Sequence, residues 1–353
     1  MVGAFVRSGA ADARVDVITT HLNPSWLDPD SYISLLNRSF AERWDRRAYE
    51  FYVARSFNGV KGDIVVQAEG SRILAAVSLC YRQVILEGGS VLDVCVAGAG
   101  ATLPGERRHG HYRRLLQAAL ERCRQRSSVA LLGFVSRGNS SGRGLTRIGA
   151  RAIPSFYITS THLPLIRDQV PSRSRASKAV EVVHSKDCLA LILATRARQQ
   201  IRACNPAGGD KAYFHYEHID DWVRQFMHRP NAVRAIRMAH DSVALVETVG
   251  PTSRPAGAPY ARARQRSTDR LQWLACPRGR IIENIATLAS ASAAVGRHFF
   301  MYTLDPLQAQ AAKRVGLKVR GGYLMVLPTG AARASDSELV ARASWQLQSG
   351  DRL

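Results

Sequence analysis

The segment Arg107–Arg113 contains three arginines, two histidines and one glycine, and it is the part of this sequence best suited to binding an anion. Gly110 lets the main chain approach a ligand closely, because glycine has no side chain in the way. At the start of a helix, the first amides lack intrahelical partners and carry the positive end of the helix dipole. Phosphate oxygens bind readily at such a position, and the arginines add positive charge. The segment therefore predicts a phosphate-binding turn.

The residues on either side predict the strand and the helix that such a turn requires. Ser90–Thr102 is apolar and contains β-branched residues, which is typical of a strand. After Gly110, apolar residues recur at the spacing of three and four that places them on one face of a helix. The sequence thus predicts a strand that leads into a helix through residues 107–110, called the basic turn below. The apolar residues of the helix are Tyr112, Leu115, Leu116, Ala119, Leu120 and Cys123.

The hexapeptide Arg107–Tyr112 resembles the Arg/Gln-x-x-Gly-x-Gly/Ala pyrophosphate loop of the GCN5-related N-acetyltransferases (GNAT). The preceding Thr-x-Pro and the following Arg-Arg-Leu-Leu also resemble that family, whereas Tyr112 stands where the family prefers Gly or Ala. The resemblance implies acetyl-CoA as co-substrate and no metal. Asn139 follows the segment Val129–Ser136, as in the family's strand and Asn motif. The implied CoA-binding residues are Thr102, Leu103, Arg107, Arg108, His109, Gly110, His111, Tyr112, Arg113 and Asn139.

Periodicity around this motif predicts a mixed α/β sheet flanked by helices. The order of elements is that of the GNAT fold, and the resemblance covers a first domain at residues 1–163. We predict helices at Asp30–Trp44, after Gly110 and within Ser136–Ile148. The predicted strands are Arg14–Thr20, Asp63–Ala68, Ile73–Leu86, Ser90–Thr102, Val129–Val135 and Arg151–Leu163.

A second, GNAT-like domain is predicted at residues 180–328, after a linker at residues 164–179 in which Pro, Ser and Arg accumulate. Its elements repeat the order of the first domain. However, Cys276–Ile282 stands in place of the basic turn and is at best a remnant of the motif. The interpretation is a tandem of one CoA-binding domain and one degenerate domain, followed by a tail, residues 329–353, that forms one weak helix or is disordered.

The elements of this second domain are predicted from the same signals, with a long loop at Gly250–Asp269 between its strands. The predicted helices are Lys186–Cys204, Ile219–His228, Ile281–Val295 and one that opens at Asp305-Pro306. The predicted strands are Val180–Val183, Ala232–Met238, Ser242–Val249, Leu271–Cys276, His298–Tyr302 and Lys318–Leu327.

Transfer of an acyl group from a thioester to an amine needs a base that takes the ammonium proton. Asp93, on the strand before the basic turn, is one candidate. Glu50, in a second helical segment that follows the predicted helix Asp30–Trp44, is the other. Each residue also suits an ordinary solvent-exposed position on its strand or helix. The sequence therefore names two candidate bases and does not choose between them.

The same reaction often uses an acid that protonates the leaving thiolate. GNAT enzymes usually place a tyrosine for this purpose in the short helix before a Gly-containing turn, and Leu145 occupies that position here. Tyr112 is one nearby substitute, although it lies on the apolar stripe of its helix and suits the core better than catalysis. Ser140, Ser141 and Tyr157 are the alternatives.

The chain of 353 residues carries a formal net charge of +21, and its length is typical of two domains. Only six of its 49 basic residues are lysines, so a GC-rich coding sequence explains the charge as well as selection for binding does. Basic residues are nevertheless concentrated in two loops, at 167–178 and 254–270, which favours an anionic partner. No aromatic-interleaved motif of a nucleic-acid module accompanies them.

The six cysteines are scattered without a Cys-x-x-Cys pair, which indicates reduced core residues. No apolar run is long enough to span a bilayer, and the first 14 residues do not resemble a signal peptide. We therefore expect a cytoplasmic protein without membrane contact. The sequence leaves the oligomeric state open.

Two functional hypotheses follow. The first is an acetyl-CoA-dependent N-acyltransferase that acts by direct transfer on a small amine or amino-sugar acceptor. The second is an aminoacyl-tRNA-dependent or non-catalytic protein that binds a polyanion, because tandem GNAT-like domains also occur in aminoacyl-tRNA-dependent peptidoglycan ligases. The basic turn favours the first hypothesis, whereas the missing tyrosine and the net charge favour the second.

Overall fold

The structure of this chain is a computed structural model. The structure describes residues 18–40, 44–86, 88–160, 181–183, 211–239, 242–251, 266–330, 334–347 and 349–351. The predicted linker, the predicted helix Lys186–Cys204, most of the predicted loop Gly250–Asp269 and the first part of the strand Arg14–Thr20 lie outside these residues.

The first half of the chain follows the predicted order of strands and helices, with a short two-stranded sheet inserted before the long strands. Its helices are α1 (Pro29–Ser39), α2 (Arg46–Tyr52), α3 (His111–Gln125) and α4 (Ser140–Arg147). Its strands are β1 (Ile18–Leu22), β2 (Ser56–Phe57), β3 (Val60–Lys61), β4 (Asp63–Glu69), β5 (Arg72–Leu86), β6 (Val91–Thr102), β7 (Ala130–Ser136) and β8 (Arg151–Thr159).

The prediction of one helix over Asp30–Trp44 is wrong at its end. Helix α1 begins where the Asp28 side chain accepts a hydrogen bond from the Ser31 amide at 2.9 Å, and it ends at Ser39 because the next residue is extended. A second cap, Asp45, accepts from the Ala48 amide at 2.8 Å and starts α2. The first helix is therefore shorter than the apolar spacing indicated, and the helical segment that contains Glu50 begins at its own aspartate cap.

The second half contains the predicted strands, and it adds two short ones. Its helices are α5 (Ile219–Phe226), α6 (Ile281–Ala294), α7 (Pro306–Arg314) and α8 (Ala334–Arg342). Its strands are β9 (Glu181–Val183), β10 (Lys211–His215), β11 (Val233–Met238), β12 (Ser242–Val249), β13 (Thr268–Ala275), β14 (His298–Thr303), β15 (Lys318–Pro328) and β16 (Ser344–Trp345).

The strands of both halves join in one mixed sheet of 14 strands, in the main order β1-β4-β5-β6-β7-β15-β8-β14-β13-β12-β11-β9. The mixed α/β class is therefore as predicted. The last strand of each half is exchanged: β15 pairs with β7, and β8 pairs with β14. The two exchanged strands also pair with each other, from Lys318 opposite Thr159 to Val326 opposite Arg151. Separating the halves at the linker would thus break a continuous ladder.

Helices cover both faces of this sheet. Helix α3 packs on the face of β5 that carries Leu79 and Tyr81, whereas α1 and α2 pack on the other face near the end shared by β4 and β5. Helices α6 and α7 cover the corresponding part of the second half. Among the described helices, none combines the length and apolar character required to cross a membrane.

The C-terminal tail contributes to the core, contrary to the expectation of a weakly structured end. Val340, Trp345 and Leu347 are buried, and β16 pairs in parallel with β10. Strand β10 in turn extends β5 of the first half, from Ala212 opposite Leu86 to His215 opposite Gln83. The tail therefore packs between elements of both halves.

Buried arginines hold the tail against the first half. Arg82 on β5 donates to the main-chain oxygen of Asp351 at 3.2 Å, and its guanidinium lies 3.8 Å from the centre of the Phe214 ring. Arg229 donates to the main-chain oxygen of Gly350 at 3.4 Å and to Glu247 at 3.0 Å. Because a buried guanidinium needs acceptors, these bonds specify where the tail docks.

Candidate active site

Strands β6 and β7 diverge at their carboxyl ends, and this divergence opens the sheet beside α3. They pair in parallel from Val94 opposite Ala130 to Ala97 opposite Gly133. Beyond this point β6 continues along β5, and β7 continues along β15. We call the opening after Ala97 and Gly133 the sheet split.

A β-bulge in β6 lies at the sheet split. Ser78 pairs with Gly98 and Ala76 pairs with Ala101, so that Ala99 and Gly100 together face the single residue Val77. Ala99 has a φ of 45°, in the left-handed region that residues other than glycine rarely adopt. The bulge interrupts the regular ladder and turns main-chain groups of β6 away from β5.

Two side chains fix the peptide planes of this bulge, and neither contact is indicated by the sequence. The Ser78 hydroxyl donates to the Gly98 carbonyl at 2.9 Å, and the Tyr32 hydroxyl donates to the Ala99 carbonyl at 3.0 Å. Tyr32 is fully buried on α1, and burial raises the pKa of its phenol. Because a trans peptide directs its N–H opposite to its C=O, these two bonds also fix the direction of the Ala99 and Gly100 amides.

The basic turn follows this bulge and leads into α3 in the predicted way. Arg108 and Gly110 have φ angles of 74° and 81°, and Gly110 is the N-cap residue of α3. No side chain caps the helix in the described structure, so the first amides of α3 are left for a ligand. The side chains of Arg107, Arg108, His109 and Arg113 are exposed around it. Arg107 also donates to the main-chain oxygen of Ser39 at 3.2 Å.

Three residues of the predicted CoA-binding set have structural contacts of their own. Leu103 is buried among the apolar residues under α1, whereas Thr102 is half-buried and its carbonyl accepts a hydrogen bond from Ser39 at 3.2 Å. Asn139 is exposed and caps α4, because its side chain accepts from the Ser141 amide at 2.9 Å. Any contact of Leu103 with a ligand would therefore come from its main chain.

Tyr112 fills space that two glycines leave between β6 and α4. A Cβ atom on Gly100 would lie 3.2 Å from the Cε2 atom of the ring, and one on Gly144 would lie 3.6 Å from Cδ1. Burial raises the pKa of the Tyr112 phenol, and a hydrogen bond with Ser141 opposes that change. The tyrosine thus spans from the bulge to the short helix, and its hydroxyl group lies on α4.

The two candidate bases are placed elsewhere. Asp93 is exposed near the start of β6, opposite Gln83, and five residues before the split correspond to about 16 Å of extended chain. Glu50 lies on the exposed face of α2 and pairs with Arg46 at 3.1 Å. Hence the structure brings Tyr112, Gly110 and the bulge together, and it does not bring Asp93 to them.

The two histidines of the motif differ in exposure. His109 is exposed, whereas His111 is 1% exposed with its ring turned inward from the first residue of α3. Burial and the neighbouring Arg114 lower the pKa of His111, which therefore stays neutral near pH 7. The His111 side chain points into the protein, so a ligand at the turn would meet its main-chain amide.

The second half repeats this arrangement without the basic turn. Strands β13 and β14 pair in parallel from Thr268 opposite His298 to Arg270 opposite Phe300 and then diverge. A short 3₁₀ turn, Arg278–Arg280, leads into α6. Here Arg280 is the N-cap residue with a φ of −106°, and it forms an ion pair with Glu283 at 2.9 Å. The left-handed glycine of the first half has no counterpart at this helix start.

The first half thus combines a strand with a bulge, an uncapped helix behind a basic turn and a split between parallel strands. Residues 12–143 match the family model described as acetyltransferase (GNAT) domain. This part of the chain is a GNAT acetyltransferase domain, and the protein is an N-acyltransferase.

Solved structures share the fold at low sequence identity. A GCN5-related N-acetyltransferase from Anabaena variabilis superimposes with a TM-score of 0.55 at 12% identity, over 88% of this chain and 73% of that one. The N-myristoyltransferase of Saccharomyces cerevisiae, solved with bound myristoyl-CoA, gives a TM-score of 0.59 at 10% identity, over 90% and 82% of the two chains. No curated protein matches the chain significantly by sequence. The similarity to solved structures thus extends through both halves.

Proposed function

We propose that this protein transfers the acyl group of an acyl-CoA, with acetyl-CoA as the first donor to test, directly to the amine of a small molecule. The observation that carries the proposal is the uncapped start of α3 behind Gly110, directly beside the bulge at the sheet split. The amides of His111, Tyr112 and Arg113 would bind the pyrophosphate, with Arg108 and Arg113 adding positive charge. Asn139 would meet the pantetheine arm along β7.

The thioester would lie in the sheet split, with its carbonyl oxygen directed toward the main-chain amides of the bulge. Such fixed amides stabilise the negative charge that develops on oxygen when an amine attacks. Their direction is set by the hydrogen bonds of Ser78 and Tyr32 to Gly98 and Ala99. The donors would therefore be preorganised before the donor molecule binds.

Tyr112 would supply the proton for the leaving group. The amine nitrogen forms a bond to the thioester carbon, the C–S bond breaks, and the CoA thiolate takes the phenolic proton. The proton that the nitrogen loses as the amide forms would then restore the phenol. A phenol whose pKa is raised by burial stays protonated near neutral pH, so it is in the correct state to donate. Ser141 is placed to hold the hydroxyl during this step.

The ammonium proton of the acceptor has to reach a base before the attack. Glu50 and Asp93 remain the proposed bases, and since both are exposed they would accept the proton through water. Separate Glu50→Gln and Asp93→Asn variants distinguish them, because only loss of the working base removes the acidic limb of the kcat profile against pH.

Calorimetric titration of the full chain with acetyl-CoA tests donor binding. Replacing Gly110 by Val should weaken binding by about tenfold or more, because a β-branched residue strains the left-handed backbone and blocks approach to the amides. Gly105→Val is the matched control: Gly105 lies in the turn just before, and a Cβ there meets nothing within 4 Å. Equal affinities of the two folded variants would show that the turn does not hold the donor.

Two further titrations address the alternatives. Myristoyl-CoA in place of acetyl-CoA tests the length of the acyl chain. Bulk tRNA at low and moderate salt tests the polyanion hypothesis, which the net charge of +21 supports. A nonspecific polyanion response falls steeply with salt. Tight tRNA binding without acyl-CoA binding would favour the second hypothesis.

A further inference from the structure

Three side chains with metal-binding atoms meet where the basic turn joins α3. The Oε2 atom of Glu106 lies 3.5 Å from Nδ1 of His109 and 3.7 Å from Nε2 of His111. One potential ligand atom from each residue lies within 4.8 Å of the other two. Two imidazole nitrogens and one carboxylate oxygen therefore converge on a common point.

The buried member of this group lacks a hydrogen-bond partner at the nitrogen that faces the group. His111 is 1% exposed, and its Nε2 atom has no partner among the described residues. A buried polar atom without a partner destabilises the folded state. A cation bound between the three side chains would give this nitrogen a ligand bond.

The distances suit a small tetrahedral ion. Zinc binds His nitrogen and carboxylate oxygen at roughly 2.0–2.2 Å, so neighbouring ligand atoms are separated by about 3.3–3.6 Å. The two separations given above, 3.5 and 3.7 Å, are close to that range. Nitrogen ligands favour zinc and similar transition metals over Mg²⁺ and Ca²⁺, which prefer oxygen.

We propose that Glu106, His109 and His111 form a binding site for a divalent transition-metal ion such as Zn²⁺. The ligand atoms are Oε2 of Glu106, Nδ1 of His109 and Nε2 of His111, with water as the fourth ligand. The proposal replaces the expectation that both histidine side chains serve only as CoA contacts. It does not rest on the proposed acyl-transfer function, because the ligands are defined by their own geometry.

The neighbouring arginines are compatible with this arrangement. Arg72 donates to Oε1 of Glu106 at 2.8 Å and to Glu69 at 2.8 Å, which holds the carboxylate and leaves Oε2 directed toward the histidines. Arg114 lies 3.4 Å from Nδ1 of His111. Metal at Nε2 places the imidazole proton on Nδ1, so Arg114 gives up this long contact. It keeps its bonds to Gln67 at 3.2 Å and to the His109 carbonyl at 3.1 Å.

Competition with a chromophoric zinc chelator, using full-length protein freed of metal, measures the site directly. The wild-type chain should bind one Zn²⁺ that excess Mg²⁺ does not displace. His109→Ala should weaken binding by about tenfold or more, because it removes one of three protein ligands. Glu106→Gln should weaken it as well. His228→Ala, which removes an exposed histidine after α5, is the matched control and should bind as the wild type does.

Co²⁺ provides a second readout, since the intense visible absorption of a tetrahedral Co²⁺ complex depends on its ligands. The band should form with the wild-type chain and be lost in the His109→Ala variant. That variant changes an exposed side chain, so it is expected to fold. Absence of Zn²⁺ binding by the wild-type chain would overturn the proposal, as would equal Zn²⁺ affinity of the His109→Ala and His228→Ala variants.

Discussion

The ring of Tyr112 lies against Gly100, with its Cε2 atom 3.2 Å from the position of a Cβ atom on that glycine. Gly100 belongs to the bulge at the sheet split, and Tyr112 belongs to the first turn of α3. The glycine on the strand therefore leaves the space that the tyrosine ring occupies.

This packing predicts coupling between the two positions. Gly100→Ala should destabilise the protein by about 1–3 kcal/mol, because the added methyl group presses on the ring. In the presence of Tyr112→Leu, which shortens the side chain, the same substitution should cost less. A double-mutant cycle measured by urea unfolding should give a coupling free energy of about 0.5–3 kcal/mol. Strictly additive effects would show that the ring and the bulge do not press on each other.

A substitution at Tyr112 can distinguish a structural role of this residue from a catalytic one. Tyr112→Phe keeps the ring between Gly100 and Gly144 and removes the hydroxyl group, so stability and acetyl-CoA affinity should change little. If the phenol protonates the thiolate, kcat should fall by about 10²-fold or more while KM for the donor stays similar. Steady-state kinetics with an amine acceptor measures this. An unchanged kcat would assign Tyr112 to packing alone.

Asp63 predicts how stability depends on pH. Burial tends to raise the pKa of this carboxyl, but hydrogen bonds from Arg122, Tyr81 and Asn23 lower it, and the net effect is a lowered pKa. The stabilisation is therefore fully present above the pKa of the unfolded chain and is lost as the pH falls through the lower pKa of the folded chain. Asp63→Asn should reduce the free energy of unfolding at pH 7 by about 1–3 kcal/mol.

Asp63→Asn should lower the free energy of unfolding by a smaller amount at acidic pH. The wild-type carboxyl is then protonated and has lost the charge that the asparagine also lacks. Urea unfolding at a series of pH values from neutral to strongly acidic checks this, with the exposed Asp93→Asn as control. If the difference in free energy of unfolding between Asp63→Asn and the wild type stayed constant over this pH range, the proposed stabilisation of the Asp63 carboxylate by Arg122 would be wrong.

Local signals allowed much of the first half to be predicted from the sequence. The basic turn, the strand before it and the apolar stripe of α3 are encoded within about 35 consecutive residues, and such patterns do not depend on distant partners. The bulge contacts of Ser78 and Tyr32 do depend on distant partners: Tyr32 lies 67 residues from the carbonyl it binds. Nothing near Tyr32 in the sequence identifies this partner.

The exchange of β8 and β15 could not be predicted for a related reason. Sequence patterns predict each of these as the last strand of its own half. Apolar alternation indicates which face of a strand is buried, but it does not indicate which strand pairs with it. The two-residue strand β16 and the buried Trp345 were missed because the tail shows no sustained periodicity. Both the strand exchange and the position of the tail depend on contacts between residues that are far apart in the sequence.

The buried contacts of the tail predict that its last residues are needed for stability. The Asp351 carboxylate accepts a hydrogen bond from the Tyr216 hydroxyl at 2.6 Å and lies 3.8 Å from Nη2 of the buried Arg82. Asp351→Asn should lower the free energy of unfolding by about 3 kcal/mol, because it removes the carboxylate charge beside the buried guanidinium of Arg82. Glu338→Gln is the control, since it removes an exposed ion pair with Arg342, and pairs of that kind contribute about 0–1 kcal/mol. Equal melting temperatures of the two variants would exclude this role for Asp351.

The asymmetry between the two helix starts predicts one acyl-CoA per chain. Neither helix start has a side-chain cap in the described structure, but α3 begins behind the left-handed Gly110, whereas α6 begins behind Arg280, which has a φ of −106° and is paired with Glu283. Deleting the second half is not a suitable test, because β7 and β8 would lose their partner β15 and expose bare strand edges. Point variants in the full chain avoid this problem.

Calorimetric titration with acetyl-CoA should give one site in the wild-type chain and unchanged affinity in Gly279→Val, which alters the turn before α6. Gly110→Val should lose most of the affinity. Two sites per chain, or a weakened Gly279→Val variant that remains folded, would show that the second half also binds the donor.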